Sequence, residues 1–300
     1  MLIDLTLNAI TFPDWISETA VTIPLPGGRS LPIRWYGLAY IFGVILAFLH
    51  ALRITHIREL WVPDGVTRGV DTVPGRQMLE DFAFYCLLGI LIGGRAGSLI
   101  LYDSPDTFWD IFKVWEGGMA FHGGFLGVCV AIWFTSRKYK ISIWRWADMV
   151  AIGAPLGLFL GRIANFVNQE LWGRPTEVPW AVVFPKKDWT PRHPSQIYEA
   201  VLEGLVIFLI LWYMTRKTKA LTRPGICAGL FVFLYGVFRT FVEFFREPDN
   251  IPQIHEYFTR GMLYSLPMIV AGSLITLWAC RRQPVAPHFA KGETKGADVT

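Results

Sequence analysis

Long apolar runs follow one another through most of the chain and are separated by short polar segments. Each run is about 20 residues long, which is the length a helix needs to cross the hydrocarbon core of a bilayer. The pattern therefore predicts an all-α integral membrane protein with seven transmembrane helices. The runs lie at 34–54, 79–102, 118–136, 146–167, 196–214, 225–243 and 261–280.

The basic residues are unevenly distributed between the runs. Sixteen of the 28 Lys and Arg residues follow the first, third, fifth and seventh runs, and nine are spread over the longer segments of the opposite side. Cytoplasmic loops carry the excess of Lys and Arg. We therefore expect the N-terminus outside and the C-terminus in the cytoplasm. The remaining three basic residues lie inside runs and are Arg95, Arg162 and Arg239.

Composition supports a membrane protein rather than a water-soluble one. The chain is 53% hydrophobic with a mean hydropathy of +0.38, which is too apolar for a soluble domain of this length. Three segments follow from the runs: an outer-face arm at the membrane interface (1–33), a seven-helix transmembrane domain (34–283) and a cytoplasmic tail (284–300).

The three arginines inside runs are the first candidates for chemistry. Each lies about 14 to 16 residues from a cytoplasmic start, more than 20 Å at roughly 1.5 Å per residue, and therefore in the outer half of the bilayer. Charged groups at such a depth are costly and mark functional sites. The segment 161–173, which reads GRIANFVNQELWG, adds Asn165 and Glu170 to Arg162.

Other polar residues lie near the outer ends of runs, but each also has a structural interpretation. His122 stands between glycines, which allow either close helix approach or ligand access, and a lone histidine in an apolar helix is often a packing residue. Arg95 is as compatible with snorkelling to the headgroups as with function. Glu199 and Glu203 could simply pair with neighbouring arginines.

The sequence shows none of the motifs that would indicate a cofactor. Cysteines are scattered through apolar runs without metal-ligand spacing or a disulfide framework, so we expect them to be buried packing residues. We therefore expect no metal, no cofactor and no nucleic-acid partner. The four cysteines are Cys86, Cys129, Cys227 and Cys280.

The segment 161–173 resembles the signature of the bacterial prolipoprotein diacylglyceryl transferases. That signature runs Gly-Arg-x-Gly/Ala-Asn-Phe-apolar-Asn-x-Glu-x-x-Gly, and every fixed position is met here. Six blocks match in the family's order, which makes the resemblance specific. The other five lie at 35–38, 93–95, 117–124, 192–199 and 235–249.

The resemblance implies an enzyme of the bacterial plasma membrane, the inner membrane in a Gram-negative cell. Its reaction would transfer the diacylglyceryl group of phosphatidylglycerol to the thiol of the lipobox cysteine in a preprolipoprotein. The products would be a thioether-linked lipoprotein precursor and glycerol phosphate. The expected partners are therefore an anionic phospholipid, a signal peptide and the lipid bilayer.

The resemblance also implies roles for the matching residues. Arg162 and Arg239 would hold the phosphate, because the arginine fork suits bidentate phosphate recognition. His122 would be the base that deprotonates the thiol, with His193 and Tyr235 as open alternatives. The substrate-binding candidates are Tyr36, Arg95, Asn165, Glu170, Gly173, His193, Tyr235, Glu243 and Arg246.

Two other classes of protein are compatible with charged residues in a membrane. A transporter or flippase of an anionic lipid would need a polar path to the inner half and often an internal repeat, and neither is evident. A structural scaffold would leave the intramembrane charges unexplained. No cysteine lies at the depth of the candidate site, so the reacting thiol is expected to be that of the substrate.

Overall fold

The computed structural model describes residues 9–101, 120–247 and 259–289, and it is mostly helical. A π-helical segment (Ala200–Val206) joins the short helix Ser195–Glu199 to the helix Ile207–Lys217, so that Ser195–Lys217 is one continuous helix. Within the described residues, the predicted runs agree with the helix ends to within three residues. The helices are α1 (Trp35–His56), α2 (Arg76–Leu101), α3 (Phe121–Tyr139), α4 (Ile143–Val167), α5 (Ser195–Glu199), α6 (Ile207–Lys217), α7 (Ile226–Val242) and α8 (Arg260–Arg281).

Five of the described helices are long and apolar enough to cross a membrane: α1, α2, α4, the continuous helix Ser195–Lys217 and α8. The chain is thus a membrane-embedded protein. Helix α7 is apolar but has only 17 residues. Helix α3 has 19 residues, and its glycines and its polar last turn dilute its hydropathy. The number of seven spans stays a prediction.

Short strands before, between and after the helices are the main departure from the predicted all-α fold. Ile10–Thr11 pairs in parallel with Val182–Val183, which pairs in antiparallel register with Pro191–Arg192. Thr19–Leu25 and Arg29–Arg34 form a hairpin, and Val70–Val73 pairs in parallel with Ala286–Phe289. Strands of two to seven residues leave too little alternation to be detected beside long apolar runs. The strands are β1 (Ile10–Thr11), β2 (Thr19–Leu25), β3 (Arg29–Arg34), β4 (Val70–Val73), β5 (Val182–Val183), β6 (Pro191–Arg192) and β7 (Ala286–Phe289).

Some of the sequence predictions fall outside the described residues. They concern the first part of the arm (1–8), the start of the third run together with the glycine block (117–119), the end of the last matching block (248–249) and most of the tail (290–300).

The chain divides into two units. The first comprises Met1–Ala47, Val150–Thr218 and Ile226–Arg281, and the second comprises Phe48–Met149, Lys219–Gly225 and Arg282–Thr300. In the first unit, α7 and α8 pack so closely that a Cβ on Gly236 would come within 3.0 Å of the carbonyl oxygen of Ser265.

In the second unit, glycines line the contact between α2 and α3. A Cβ on Gly123 would collide with the carbonyl oxygen of Gly93, and one on Gly127 with that of Gly89. Small residues four apart let two helix backbones approach within a membrane. These contacts therefore support close helix approach, rather than ligand access, as the role of the glycines beside His122.

The second unit also contains a polar layer. Arg145 is almost fully buried, its Nε lies 3.3 Å from Asp71, and its guanidinium stacks 4.8 Å from the ring centroid of Trp61. Asp148 accepts a hydrogen bond from the backbone N–H of Gly225 at 2.8 Å. These contacts connect the first turns of α4 to segments that lie between the long helices.

The expectation that all four cysteines are buried was wrong. Cys227 is buried and Cys86 is partly buried, whereas Cys129 and Cys280 are exposed at the protein surface. Both exposed cysteines lie on apolar helices, α3 and α8, where exposure means contact with lipid as readily as with water. Apolar residues in a membrane protein need not face a protein core, so hydrophobicity alone did not predict their burial.

Two neighbouring glycines of α3 provide a matched test of the glycine contact. Replacing Gly123 by Ala should destabilise the protein by about 1–3 kcal/mol, because the new methyl group overlaps the α2 backbone. Replacing Gly124 by Ala should be neutral or slightly stabilising, since the nearest atom to its Cβ is 3.8 Å away. Thermal unfolding in detergent measures both. Equal stability of the two variants would contradict the close packing.

Candidate active site

A single buried carboxylate joins two of the intramembrane arginines in the first unit. Glu199, at the end of α5, is fully buried. One of its oxygens lies 2.7 Å from Nε of Arg162 on α4, and the other accepts a hydrogen bond from Nη1 of Arg239 on α7 at 2.8 Å. Three helices are thereby tied together at one point.

A second carboxylate extends this arrangement along α7. Arg239 Nη2 lies 2.5 Å from Glu243, and the hydroxyl of Thr259, which also accepts a hydrogen bond from a backbone N–H of α8, donates to Glu243 at 2.7 Å. Nη1 of Arg246 is 4.0 Å from both Glu199 and Glu243. The predicted ion pair of Glu243 and Arg246 is therefore part of a larger network.

A third carboxylate faces Arg162 from the π-helical segment. Glu203 is fully buried, and its Oε2 lies 3.5 Å from Nη2 of Arg162. Nη2 and Nε form the same edge of the guanidinium, so Glu199 and Glu203 together occupy that edge. We call the arginines and glutamates joined by these contacts the charge cluster, which has six members. Its members are Arg162, Glu199, Glu203, Arg239, Glu243 and Arg246.

The signature segment continues from α4 into a tight turn. Gln169 and Leu171 have positive φ angles of 54° and 58°, which reverse the chain after the helix. The carboxylate of Glu170 accepts a hydrogen bond from Nδ2 of Asn165 at 2.6 Å, and the backbone oxygen of Glu170 accepts one from Nε2 of Gln196 at 2.6 Å. The turn therefore fixes Asn165 and Glu170 against each other.

Gly173 is a glycine because two other segments approach it closely. Its backbone N–H donates to the carbonyl oxygen of His193 at 3.1 Å. A Cβ at this position would collide with that oxygen and would lie 2.8 Å from the carbonyl oxygen of Phe245. The next residue, Arg174, donates through Nε to the backbone oxygen of Arg246 at 3.0 Å, which links this turn to the charge cluster.

His193 lies in an aromatic environment beside this turn. Its Nδ1 is 3.1 Å from the hydroxyl of Tyr198, which also accepts a hydrogen bond from Nε1 of Trp180 at 2.7 Å. The His193 ring packs edge-on against Phe245, with centroids 5.2 Å apart. Burial lowers the pKa of His193, so its imidazole is neutral near pH 7.

Next to His193 in the sequence, Arg192 forms ion pairs that support the loop between α4 and α5. Arg192 is buried and pairs with Asp188 at 2.7 Å and with Glu247. Its hydrogen bond holds the pKa of Asp188 at about 2. Arg192 also donates to the backbone oxygen of Gly173 at 3.2 Å, so these pairs help to position the signature turn.

Tyrosines lie near the charge cluster in the first unit. The hydroxyls of Tyr36 and Tyr40 are 3.2 Å apart, and Tyr40 is within electrostatic range of Arg162. Tyr235 on α7 neighbours the guanidinium of Arg162. Tyr36, Tyr235 and the residues of the signature turn thus all belong to the unit that contains the charge cluster.

Two of the predicted site residues belong to the second unit. Arg95 is half-buried on α2. His122 is exposed in the first turn of α3, where its ring lies edge-on to that of Phe121 with centroids 5.9 Å apart.

Glu199 and Glu203 are the site residues that the sequence prediction undervalued. Pairing with neighbouring arginines was the structural interpretation offered for both, and both make such pairs. Glu199 is in addition the point where two arginines meet. Their spacing of four residues in an apolar helix was the available signal, since a charge at membrane depth needs an opposite charge nearby. Within the described residues, His, Cys, Asp and Glu side chains form no group of three that could hold a metal ion.

Apolar spanning helices and a buried cluster of arginines and glutamates define a membrane-embedded protein with a charged site within its helices. The family model of prolipoprotein diacylglyceryl transferase matches residues 25–278. The chain therefore belongs to the prolipoprotein diacylglyceryl transferase family, which confirms the family predicted from the six sequence blocks.

Individual relatives are similar over nearly their whole length. A phosphatidylglycerol–prolipoprotein diacylglyceryl transferase of Mesorhizobium japonicum is 45% identical over 284 residues, covering 92% of this chain and 93% of the relative. Proteins of the same name from Nitrobacter hamburgensis and Pseudoalteromonas atlantica are 47% identical over 266 residues and 42% identical over 276 residues. The Nitrobacter alignment covers 86% of this chain and 88% of the relative, and the Pseudoalteromonas alignment covers 89% and 92%.

Proposed function

We propose that this chain transfers the diacylglyceryl group of phosphatidylglycerol to the lipobox cysteine of a preprolipoprotein, the first step of lipoprotein maturation. Family membership and the names of the relatives support this reaction. The observation that carries the proposal to particular residues is the pair of guanidinium groups held on Glu199. The alternative of a lipid transporter is not favoured, because the relatives are named as transferases.

The proposed reaction is a direct displacement. The cysteine sulfur attacks the glyceryl carbon and forms a thioether, the bond from that carbon to the phosphate oxygen breaks, and its electron pair leaves with glycerol phosphate. The thiol proton passes to a base. No atom changes its oxidation state through an external oxidant or reductant, so no cofactor is proposed.

Arg162 and Arg239 are proposed to hold the phosphate as charge develops on it. The phosphodiester has one negative charge and the phosphomonoester product has nearly two, so positively charged donors stabilise the leaving group more than the substrate. Glu199 and Glu203 occupy only the Nε/Nη2 edge of Arg162. The remaining N–H groups of this fork are the ones proposed to bind the phosphate.

The other predicted residues receive supporting roles in this proposal. Asn165, Glu170 and Gly173 shape the phosphate site, and Tyr36 contacts the lipid headgroup. The hydrogen bond that joins Asn165 to Glu170 supports a rigid turn at this point. Arg95 is proposed as a further contact to the anionic lipid. Glu243 and Arg246 support Arg239.

His122 is proposed as the base for the thiol, with His193 and Tyr235 as alternatives. A neutral imidazole can accept a proton, and the lowered pKa of His193 keeps that residue eligible. None of the four cysteines of this chain lies in the charge cluster. The only reacting thiol is therefore proposed to be that of the substrate.

We further propose seven membrane spans with the N-terminus outside and the C-terminus in the cytoplasm. Residues 1–33 would form an outer arm, 34–283 the catalytic domain and 284–300 a cytoplasmic tail. The bias of basic residues supports this orientation. The proposed location is the bacterial plasma membrane, the inner membrane of a Gram-negative cell.

Arginine substitutions test the phosphate site. Purified protein incubated with phosphatidylglycerol and a lipobox peptide should yield a mass-shifted peptide and glycerol phosphate. Arg162→Ala and Arg239→Ala should abolish transfer, because losing one partner of an ion contact in a dry site costs about 2–5 kcal/mol. Arg162→Lys should also be severely impaired, since an ammonium cannot reproduce the fork. Near-normal turnover by both alanine variants would refute the assignment.

A histidine substitution tests the base. His122→Gln should bind phosphatidylglycerol normally and lose roughly 10²–10⁴-fold in rate, the usual contribution of a general base. His288→Gln, which changes an exposed histidine of β7, is the matched control and should leave the rate unchanged. Loss of lipid binding in His122→Gln would instead make His122 a headgroup ligand and direct the search to His193 or Tyr235.

The orientation is testable by labelling. In a background without the four native cysteines, single cysteines near Lys187 and near Lys217 should react with a membrane-impermeant reagent from opposite sides. Lys187 lies in the segment after α4 and Lys217 ends α6. Labelling of both positions from outside intact cells would disprove the proposed topology.

A further inference from the structure

Glu203 differs from the other carboxylates of the charge cluster in its hydrogen bonding. Glu199 and Glu243 each accept hydrogen bonds from arginine or threonine. Neither carboxylate oxygen of Glu203 accepts a hydrogen bond within the described part of the chain, although both are buried. A buried charge without such bonds is costly, so its presence needs an explanation beyond packing.

The position of Glu203 depends on a local change in helix geometry. It lies in the π-helical segment between α5 and α6, and the following residue, Gly204, packs directly against the backbone of Phe159 on α4. Single π-helical turns within α-helices are frequently found at functional sites. The wider turn holds Glu203 against Arg162 from the same helix that holds Glu199.

The charges of the cluster balance when Glu203 is counted. Three arginines face three glutamates, and the charges that reach Glu203 are those of Arg162, Glu199, Arg239 and Arg246. Tyr235 is a further titratable neighbour. Without Glu203 the cluster would have a net charge of +1.

A net positive charge would act differently on the substrate and the product of the proposed reaction. Phosphatidylglycerol has one negative charge, whereas glycerol phosphate has nearly two above its second pKa of about 6. Coulomb energy is proportional to the ligand charge, so any change in site charge acts about twice as strongly on the product. A positive site would therefore retain the product in preference to new substrate.

We propose that Glu203 is a specificity-determining residue that lowers the affinity of the site for the phosphomonoester product. It does so as a buried counter-charge to Arg162, while Glu199 holds both arginines in place. This inference rests on the proposed function, because it assigns the phosphate to the charge cluster.

The test is direct binding of glycerol phosphate and of phosphatidylglycerol to purified protein at pH 8. Glu203→Gln keeps the shape of the side chain and removes its charge. If it strengthens phosphatidylglycerol binding by about fivefold, it should strengthen glycerol phosphate binding by about the square of that factor, roughly 25-fold. In steady state, product inhibition should become stronger by the same factor, and kcat should fall as release slows.

Control variants separate the effect of the Glu203 charge from the effect of its packing. Glu203→Asp retains the charge and should stay within about threefold of the parent for both ligands. Glu80→Gln removes an exposed glutamate that pairs with Arg76 at 2.8 Å in the second unit, and it should change neither affinity. If Glu203→Gln does not fold stably, Glu203→Met removes the charge with an apolar side chain of similar size and should give the same ratio.

The possible outcomes are distinct. Unchanged or weaker binding of glycerol phosphate in the uncharged variants would overturn the inference, as would equal effects of the Asp and Gln variants. Binding does not depend on turnover, so a parent protein that binds both ligands but transfers nothing would refute the proposed function alone. The altered affinity ratio would then still support the role of Glu203.

Discussion

The ion contacts of Glu199 are the constraint on which the rest of the candidate site depends. A fully buried carboxylate accepts guanidinium groups from α4 and from α7 while it belongs to a third helix. Removing one partner of a buried pair typically costs about 3–5 kcal/mol, because the other charge is left uncompensated. The three helix segments of the first unit are therefore not free to shift independently, and the two arginines keep a fixed separation.

Close backbone contacts fix the signature turn in place, in addition to the ion pairs. Gly173 permits the signature turn to touch the segments of His193 and Phe245, and the turn is linked through Arg174 to the backbone of Arg246. Asn165 and Glu170 are thus fixed at one end by α4 and at the other by these backbone bonds. Rigid positioning of polar groups before the ligand arrives is what allows electrostatic stabilisation without reorganisation.

The helix positions and the arginines of the candidate site were predictable from the sequence, because long apolar runs and charges inside such runs are strong signals. Arg162 and Arg239 were identified from their depth in the runs, and the family motifs added the turn around Gly173. The contact of Glu199 with two arginines was not predictable, since sequence spacing does not show which neighbouring helices the side chain at the end of α5 will meet. The short strands were missed because each contributes only two to seven residues, which is too few for a clear alternation.

The charge cluster contains as many glutamates as arginines, and this balance affects how it would recognise an anion. Three arginines would attract any anion, but three glutamates cancel that attraction at long range and leave the directional donors of each fork. Lysines in the same positions would lose this advantage, because an ammonium offers charge without a planar pair of donors. In the proposed phosphate site, selectivity would then come from the orientation of the arginine forks, which the buried glutamates set, rather than from the total charge of the site.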